Sequence, residues 1–216
     1  MPLFDVMKSP RAAVAVRSAL AEDIGPGDAT SIALVDPKAV ATGRIFSRVP
    51  CVVAGATVAR AVLRAVDPRL RVTILRPDGS RVRANQDILR FTGRARSILA
   101  AERVALNFMQ RMCATATLTR KFVDATRRYH TMILDTRKTT PGLRVFEKYA
   151  VTCGGGTNHR FGLYDRILMK DNHRRLWAGG NPDRLDLAVV AARKRFPKLM
   201  VEVEVESLRE CESALR

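Results

Sequence analysis

Beyond His130 the chain alternates short apolar runs with polar, glycine-bearing loops and helical stretches, a rhythm that restricts the fold more than any other feature. Residues 132–134, 166–169 and 200–205 read as strands. Residues 185–196, with Pro182 near their start, and a segment beginning at Ser207 read as helices. Strands separated by helices pair in parallel through crossover connections, as in an α/β barrel or a doubly wound sheet. In such folds chemistry gathers just beyond the C-terminal ends of the strands. Two polar stretches lie there: Asp135-Thr-Arg-Lys138 after the first strand and Lys170-Asp-Asn-His173 after the second. Three parallel strands cannot close a barrel, so the barrel is expected to be incomplete, with its C-terminal strands missing from this chain.

The part before residue 97 has a different texture. Residues 12–22 read as a helix stopped by Gly25-Pro26-Gly27. Residues 40–54 read as one or two strands, 56–66 as a helix, and 71–75 and 87–91 as two more strands. This is mixed α+β without a βαβ repeat. From 100 to 129 runs a long helical pattern, expected to break near 114–117. Ala105, Met109, Met112 and Ala116 form its apolar stripe, while Arg103, Asn107, Gln110 and Arg111 share another face. From spacing alone that polar face reads as solvated. The expected fold class is therefore α/β: a mixed α+β part followed by parallel strand–helix alternation.

Charge narrows the partners. The 216 residues carry a formal net charge of +17, and the sequence pI is about 10.9. Either arginines are simply abundant, or an acidic partner is bound: nucleic acid, or phosphorylated and carboxylated small molecules. Aromatics make up only 6% of the chain, so stacking platforms for bases are not evident. With no nucleic-acid-binding motif either, no nucleic-acid partner is expected. The four cysteines, Cys51, Cys113, Cys153 and Cys211, include no CxxC pair, which argues against zinc and against a disulfide framework. The N-terminus does not read as a signal peptide. No apolar run approaches the ~20 residues that span a bilayer. A cytoplasmic protein without a membrane partner is expected.

Between 135 and 173 the chain gathers Arg137, Lys138, Arg160 and Lys170, together with His159, His173 and the run Gly154-Gly-Gly156. Arginine's planar fork binds carboxylates and phosphates bidentately, and lysine adds a compact charge. The set suits a substrate with several negative charges. The glycines let backbone approach a ligand or another strand closely, but they form neither a Walker loop nor a dinucleotide fingerprint. His159 and His173 are candidates for acid, base or hydrogen-bond donor, or for purely structural roles. The strand Val201-Glu-Val-Glu-Val-Glu206 places Glu202, Glu204 and Glu206 on one face. That face is either the wet side of an edge strand or the lumen side of a barrel strand, where the acids would hold Mg²⁺ or balance the cations.

At these residues the chain resembles the quinolinate phosphoribosyltransferases, the carboxylating nicotinate-nucleotide pyrophosphorylases. The matching stretches are Glu22-Asp-Ile-Gly-Pro-Gly-Asp28-Ala-Thr-Ser31, Glu102-Arg-Val-Ala-Leu-Asn107, Asp135-Thr-Arg-Lys-Thr-Thr-Pro-Gly142, Gly154-Gly-Gly-Thr-Asn-His-Arg160, Lys170-Asp-Asn-His173 and Glu202-Val-Glu-Val-Glu206. The resemblance implies transfer of a phosphoribosyl group from 5-phosphoribosyl 1-pyrophosphate to quinolinate with decarboxylation. The products would be nicotinate mononucleotide, CO₂ and pyrophosphate, in NAD biosynthesis. It implies an α/β sandwich domain over 1–108 followed by an α/β-barrel domain over 109–216, Mg²⁺ and no organic cofactor, and a homodimer or dimer-based oligomer. Carried onto matching positions, Arg137, Lys138 and Arg160 would bind the quinolinate carboxylates with His159 beside them. Arg103 would reach across the dimer, which replaces the solvated reading of its helix face. Lys170 would contact the phosphoribosyl pyrophosphate, and Glu204 would belong to its metal-facing side. The implied catalytic set is Lys138, Lys170 and Glu204.

Two departures stand beside that resemblance. Cys113-Ala114 takes the place of the family's usual Ser-Gly, and the family's Leu-Asp-Asn and Ser-Gly-Gly segments do not occur before Arg216. The second departure keeps open a catalytically inactive remnant that acts as a dimerising or binding protein. The molybdenum-transport-associated paralogue is a further alternative, which the intact Asn158-His-Arg160 and Lys170-Asp-Asn-His173 stretches oppose.

Overall fold

The computed structural model describes residues 3–177 and 184–216; Pro182 lies outside the described residues. The chain forms two compact units, Met1–His159 and Arg160–Arg216.

The first unit opens with α1, Pro10–Ile24, with proline at its first turn, where a missing N–H costs nothing. Asp28 caps the short α2, Ala29–Leu34, by accepting from the Ser31 amide at 3.0 Å. A three-stranded antiparallel sheet follows, ordered β1-β5-β3, from Val40–Phe46, Asp87–Arg94 and Arg71–Ile74. Its register sets Val40 opposite Arg94 and Arg71 opposite Thr92. Two very short strands, β2 at Cys51–Val52 and β4 at Arg81–Val82, pair separately. The helix α3, Ala56–Val66, buries Val58, Ala59, Val62 and Leu63. It starts after Gly55, whose φ of +92° and whose approach to Met112 leave no room for a side chain; a Cβ there would lie 2.8 Å from the Met112 sulfur.

The long helix α4 spans Ala95–Thr126 without interruption. The break expected near 114–117 does not occur. Alanines and threonines there are compatible with helix, and the Thr115 and Thr119 hydroxyls donate back to the Arg111 and Thr115 carbonyls at 3.2 and 2.8 Å. The apolar stripe is as expected: Ala105, Met109, Met112 and Ala116 are all buried. The boundary expected at 108/109 lies within this helix. Residues 132–134, expected as a strand, make only a single parallel bridge, Leu134 to Thr157. The helix α5, Arg144–Cys153, was not anticipated, although its buried Val145, Phe146, Tyr149, Ala150 and Cys153 keep helical spacing.

In the second unit β6, Ile167–Met169, pairs in parallel with β7, Val201–Val203, so that Ile167 faces Val201 and Met169 faces Val203. Between them run α6, Asp171–Leu176, and α7, Leu185–Arg195. The last helix, α8, Leu208–Leu215, is capped by Ser207, as the sequence reading expects. The strand–helix–strand order and parallel pairing match the alternation read from the sequence. The β7 strand is shorter than expected, so Glu204 and Glu206 lie past its end. Among the described residues no barrel closes, and no helix is long and apolar enough to cross a membrane.

Candidate functional site

In the first unit the cationic loop hangs from a buried ion pair that the sequence reading missed. Lys148 projects from α5 with 1% of its side chain exposed and is paired with Asp135, whose side chain is 8% exposed. The Lys148 ammonium also donates to the His159 carbonyl at 3.1 Å, and the His159 amide donates to Asp135 Oδ1 at 2.9 Å. With its amide oriented to satisfy both neighbours, Asn158 donates to Asp135 Oδ2 at 2.7 Å and to the Lys148 carbonyl at 2.9 Å. Backbone bonds complete the seam: Thr157 N–H to the Ile133 carbonyl at 2.8 Å, and Asp135 N–H to the Thr157 carbonyl at 3.2 Å. A charge this deeply buried persists only when paired and fully hydrogen-bonded. The pair therefore fixes where 133–135 and 157–159 run. A lone lysine inside the apolar spacing of α5 was the available signal.

The segment following Asp135 is pinned at its far end. The Thr140 amide donates to Glu147 at 3.1 Å, Arg111 donates to the Thr140 hydroxyl at 3.0 Å, and Arg144 donates to the Thr139 hydroxyl at 3.0 Å. Lys138 is exposed between these anchors. Arg137 is half-buried, and its Nε is shut from solvent with no hydrogen-bond partner. A buried guanidinium nitrogen without an acceptor is costly, and an anionic ligand would satisfy it. His159 lies at the other end of the same seam.

The triple glycine serves packing. A Cβ on Gly154 would sit 2.5 Å from the Ala116 carbonyl and 2.6 Å from the Thr119 Cβ, both on α4. On Gly156 it would meet Val151 at 2.7 Å and the Ile133 carbonyl at 3.2 Å. Backbone here is pressed against α4 and against 133, so the close approach is to protein.

In the second unit the two parallel strands end on opposite charges. Lys170 Nζ donates to Glu204 Oε1 at 2.6 Å, and the Glu204 amide donates to the Met169 carbonyl at 2.9 Å. Both side chains are about half exposed and open to a ligand. His173 Nδ1 accepts from the Lys170 amide at 3.0 Å. Glu202 faces Arg166 at 3.4 Å, and the Glu206 amide donates to Glu210 at 2.7 Å. Arg160 is buried, with Nη1 3.5 Å from the Arg166 carbonyl. Arg103, by contrast, stands exposed on α4. The structure thus joins Lys170 with Glu204, and holds Arg137, Lys138 and His159 on one braced seam. Among the described residues no group of three or more His, Cys, Asp or Glu is placed to hold a metal ion unaided.

Residues 28–113 match the model for the quinolinate phosphoribosyl transferase N-terminal domain, and residues 115–216 match that for the C-terminal domain. A carboxylating nicotinate-nucleotide pyrophosphorylase of Mycobacterium leprae is 43% identical over 93% of this chain and 70% of its own length. A chloroplastic rice protein of the same name is 40% identical over 93% of this chain, which spans only 53% of that relative. The solved nicotinate-nucleotide pyrophosphorylase of Francisella tularensis superposes with a TM-score of 0.89 at 40% identity, covering 99% of this chain and 75% of that one.

Proposed function

The chain belongs to the quinolinate phosphoribosyltransferase family, and from that premise we propose that it transfers a phosphoribosyl group to quinolinate with loss of CO₂, forming nicotinate mononucleotide and pyrophosphate. The observation that carries this reading is Arg137, whose buried Nε lacks an acceptor beside the exposed Lys138 on an anchored loop. Two cations on a loop whose backbone is anchored before any ligand arrives suit a rigid dicarboxylate, because their placement is built in rather than acquired on binding. By the family likeness Arg160 and His159 are assigned to the same substrate.

Lys170 and Glu204 divide the second substrate's needs. As pyrophosphate departs from C1 of 5-phosphoribosyl 1-pyrophosphate, the ribosyl group takes on oxocarbenium character. The Lys170 ammonium offsets charge on the leaving group, and the Glu204 carboxylate favours the cationic sugar. The pyridine nitrogen then forms the bond to C1. Its ring, now cationic, accepts the electron pair released as the 2-carboxylate leaves as CO₂, and a proton replaces that carboxylate. No organic cofactor enters this chemistry. Mg²⁺ is bound through one or two carboxylates plus substrate phosphates, which the single carboxylate Glu204 fits. It would be held there with pyrophosphate oxygens and would neutralise leaving-group charge.

The exposed Arg103 on α4 is assigned to the partner's site in a homodimer. We place the domain division within α4, between 1–108 and 109–216; the family models change over a few residues later, between 113 and 115. A cytoplasmic setting accords with four cysteines that all remain free thiols. The test is formation of nicotinate mononucleotide and CO₂ in equal amounts from quinolinate, 5-phosphoribosyl 1-pyrophosphate and Mg²⁺ by this chain. Folded protein that binds quinolinate but yields neither product would replace the enzyme reading with that of a binding protein.

A further inference from the structure

Cys51 and Cys113 are far apart in sequence, and the fold brings them together. The docking of β2 along α4 does this. The Val52 amide donates to the Thr117 hydroxyl at 3.0 Å, and one turn earlier on the helix the Cys113 sulfur lies 3.3 Å from both the amide nitrogen and the carbonyl oxygen of Ala54. Cys51 Sγ donates to the Ser47 hydroxyl at 3.4 Å, on the side of β2 that faces Cys113 across a shared cavity. Both cysteines line one cavity of about 400 Å³, walled also by Ile45, Met109 and Leu118 and open to solvent. Neither thiol has a role in the proposed reaction.

We propose that Cys51 and Cys113 form a reversible redox site, in which Cys51 is the attacking thiol and Cys113 the resolving one. The nucleophile in such chemistry is a thiolate. The neighbouring Cys113 thiol, and after it the Ser47 hydroxyl, hold the Cys51 thiol well below its ordinary value. The neighbouring Cys51 and burial push Cys113 up, so that it keeps its proton until it resolves the intermediate. Cys153 offers the contrast: burial pushes it up to about 12, with no thiol partner beside it.

With hydrogen peroxide as the oxidant, the Cys51 thiolate attacks one peroxide oxygen. The O–O bond breaks, and the hydroxide released takes up a proton as water, leaving a sulfenic acid. The Cys113 sulfur then attacks the Cys51 sulfur, the S–O bond breaks, and a second water departs with the Cys113 proton. Two thiols and one peroxide become one disulfide and two waters. A dithiol reductant reverses the change. The site does not depend on the proposed transferase activity and can be read without it.

The experiment is mild peroxide treatment of the folded full chain, followed by intact mass, thiol titration and peptide mapping. The expected result is loss of two hydrogens, a fall from four titratable thiols to two, and a Cys51–Cys113 linked peptide that dithiothreitol releases. In Cys113→Ser the reaction is expected to stop at a Cys51 sulfenic acid that dimedone traps. A peptide map of the wild-type protein that shows both cysteines still reduced, or Cys51 carried on to sulfinic acid without the linked peptide, overturns the proposal. That reading stands even if a variant fails to fold.

Discussion

Lys148 and Asp135 form a buried ion pair at the junction of three chain segments, with the His159 carbonyl as the lysine's second acceptor. Lys148→Met leaves the Asp135 carboxylate buried and uncompensated. The expected cost is about 3–5 kcal/mol of unfolding free energy, measured by urea denaturation. A loss below about 1 kcal/mol, within the range of exposed pairs, would show that the pair does not hold the seam.

Gly154 is expected to resist even alanine. Its backbone is regular, with φ near −71°, so the penalty comes from contact with the Ala116 carbonyl and Thr119 rather than from torsional strain. Gly154→Ala should destabilise by roughly 1–3 kcal/mol through overpacking. Thermal unfolding of Gly154→Ala beside Gly154→Ala/Thr119→Ser tests the cause, because the double variant should recover part of the loss.

Arg137→Ala should weaken quinolinate binding by about 10–100-fold, the equivalent of roughly 1.5–3 kcal/mol for a charge-assisted contact. Titration calorimetry reads this directly on the folded chain. Arg137→Lys should restore little, since a point charge cannot reproduce the planar fork. Unchanged affinity in Arg137→Ala would remove Arg137 from the site.

Glu204→Gln separates function from stability. The Lys170–Glu204 pair is half exposed, so its loss should move stability by less than about 1 kcal/mol. The same change removes the charge assigned to the ribosyl cation, and turnover should fall by at least about tenfold. Parallel loss of both fold and turnover would reduce Glu204 to a structural residue.

Asp67 sets an acid limit on the fold. The Arg69 side chain donates to it at 2.9 and 3.1 Å, and the Arg69 amide and Ser97 hydroxyl add two further bonds. These bonds, the Arg69 side chain foremost, hold its carboxyl well below the usual carboxylate range. Because the folded value lies below the unfolded one, near 3.9, the stabilisation is complete above about pH 4 and is lost as pH falls through the folded value. Asp67→Asn should therefore flatten the acid side of the stability curve while leaving its slope near neutrality unchanged, as chemical denaturation across pH would show.

The order of elements was largely legible in the sequence because hydrophobic period and breakers report local structure. Gly25-Pro26-Gly27 ended α1, and Ser207 began α8, as the residue types require. The alternation beyond His130 also yielded the parallel pairing of β6 with β7. The cations after Asp135 and Met169 were visible as a cluster. What holds them was not. Lys148 looks like any surface lysine until α5 is placed and its long side chain turns inward to Asp135. The juxtaposition of Cys51 with Cys113 depends on long-range docking of β2 on α4, which no local spacing encodes. The break expected near 114–117 does not form for a related reason: hydroxyls that compete with helix in isolation are absorbed here by their own turn.

One helix, α4, carries both the Cys113 sulfur and, further along, the Ala116 carbonyl and Thr119 against which Gly154 is pressed. With no break between these points, they belong to a single stiff rod. Strain introduced at the thiol end has no flexible joint in which to dissipate before it reaches the glycines next to Asn158 and His159. Cys113 and Thr119 lie less than two turns apart on α4, so a change of state at the cysteine is expected to be felt at the contact with Gly154.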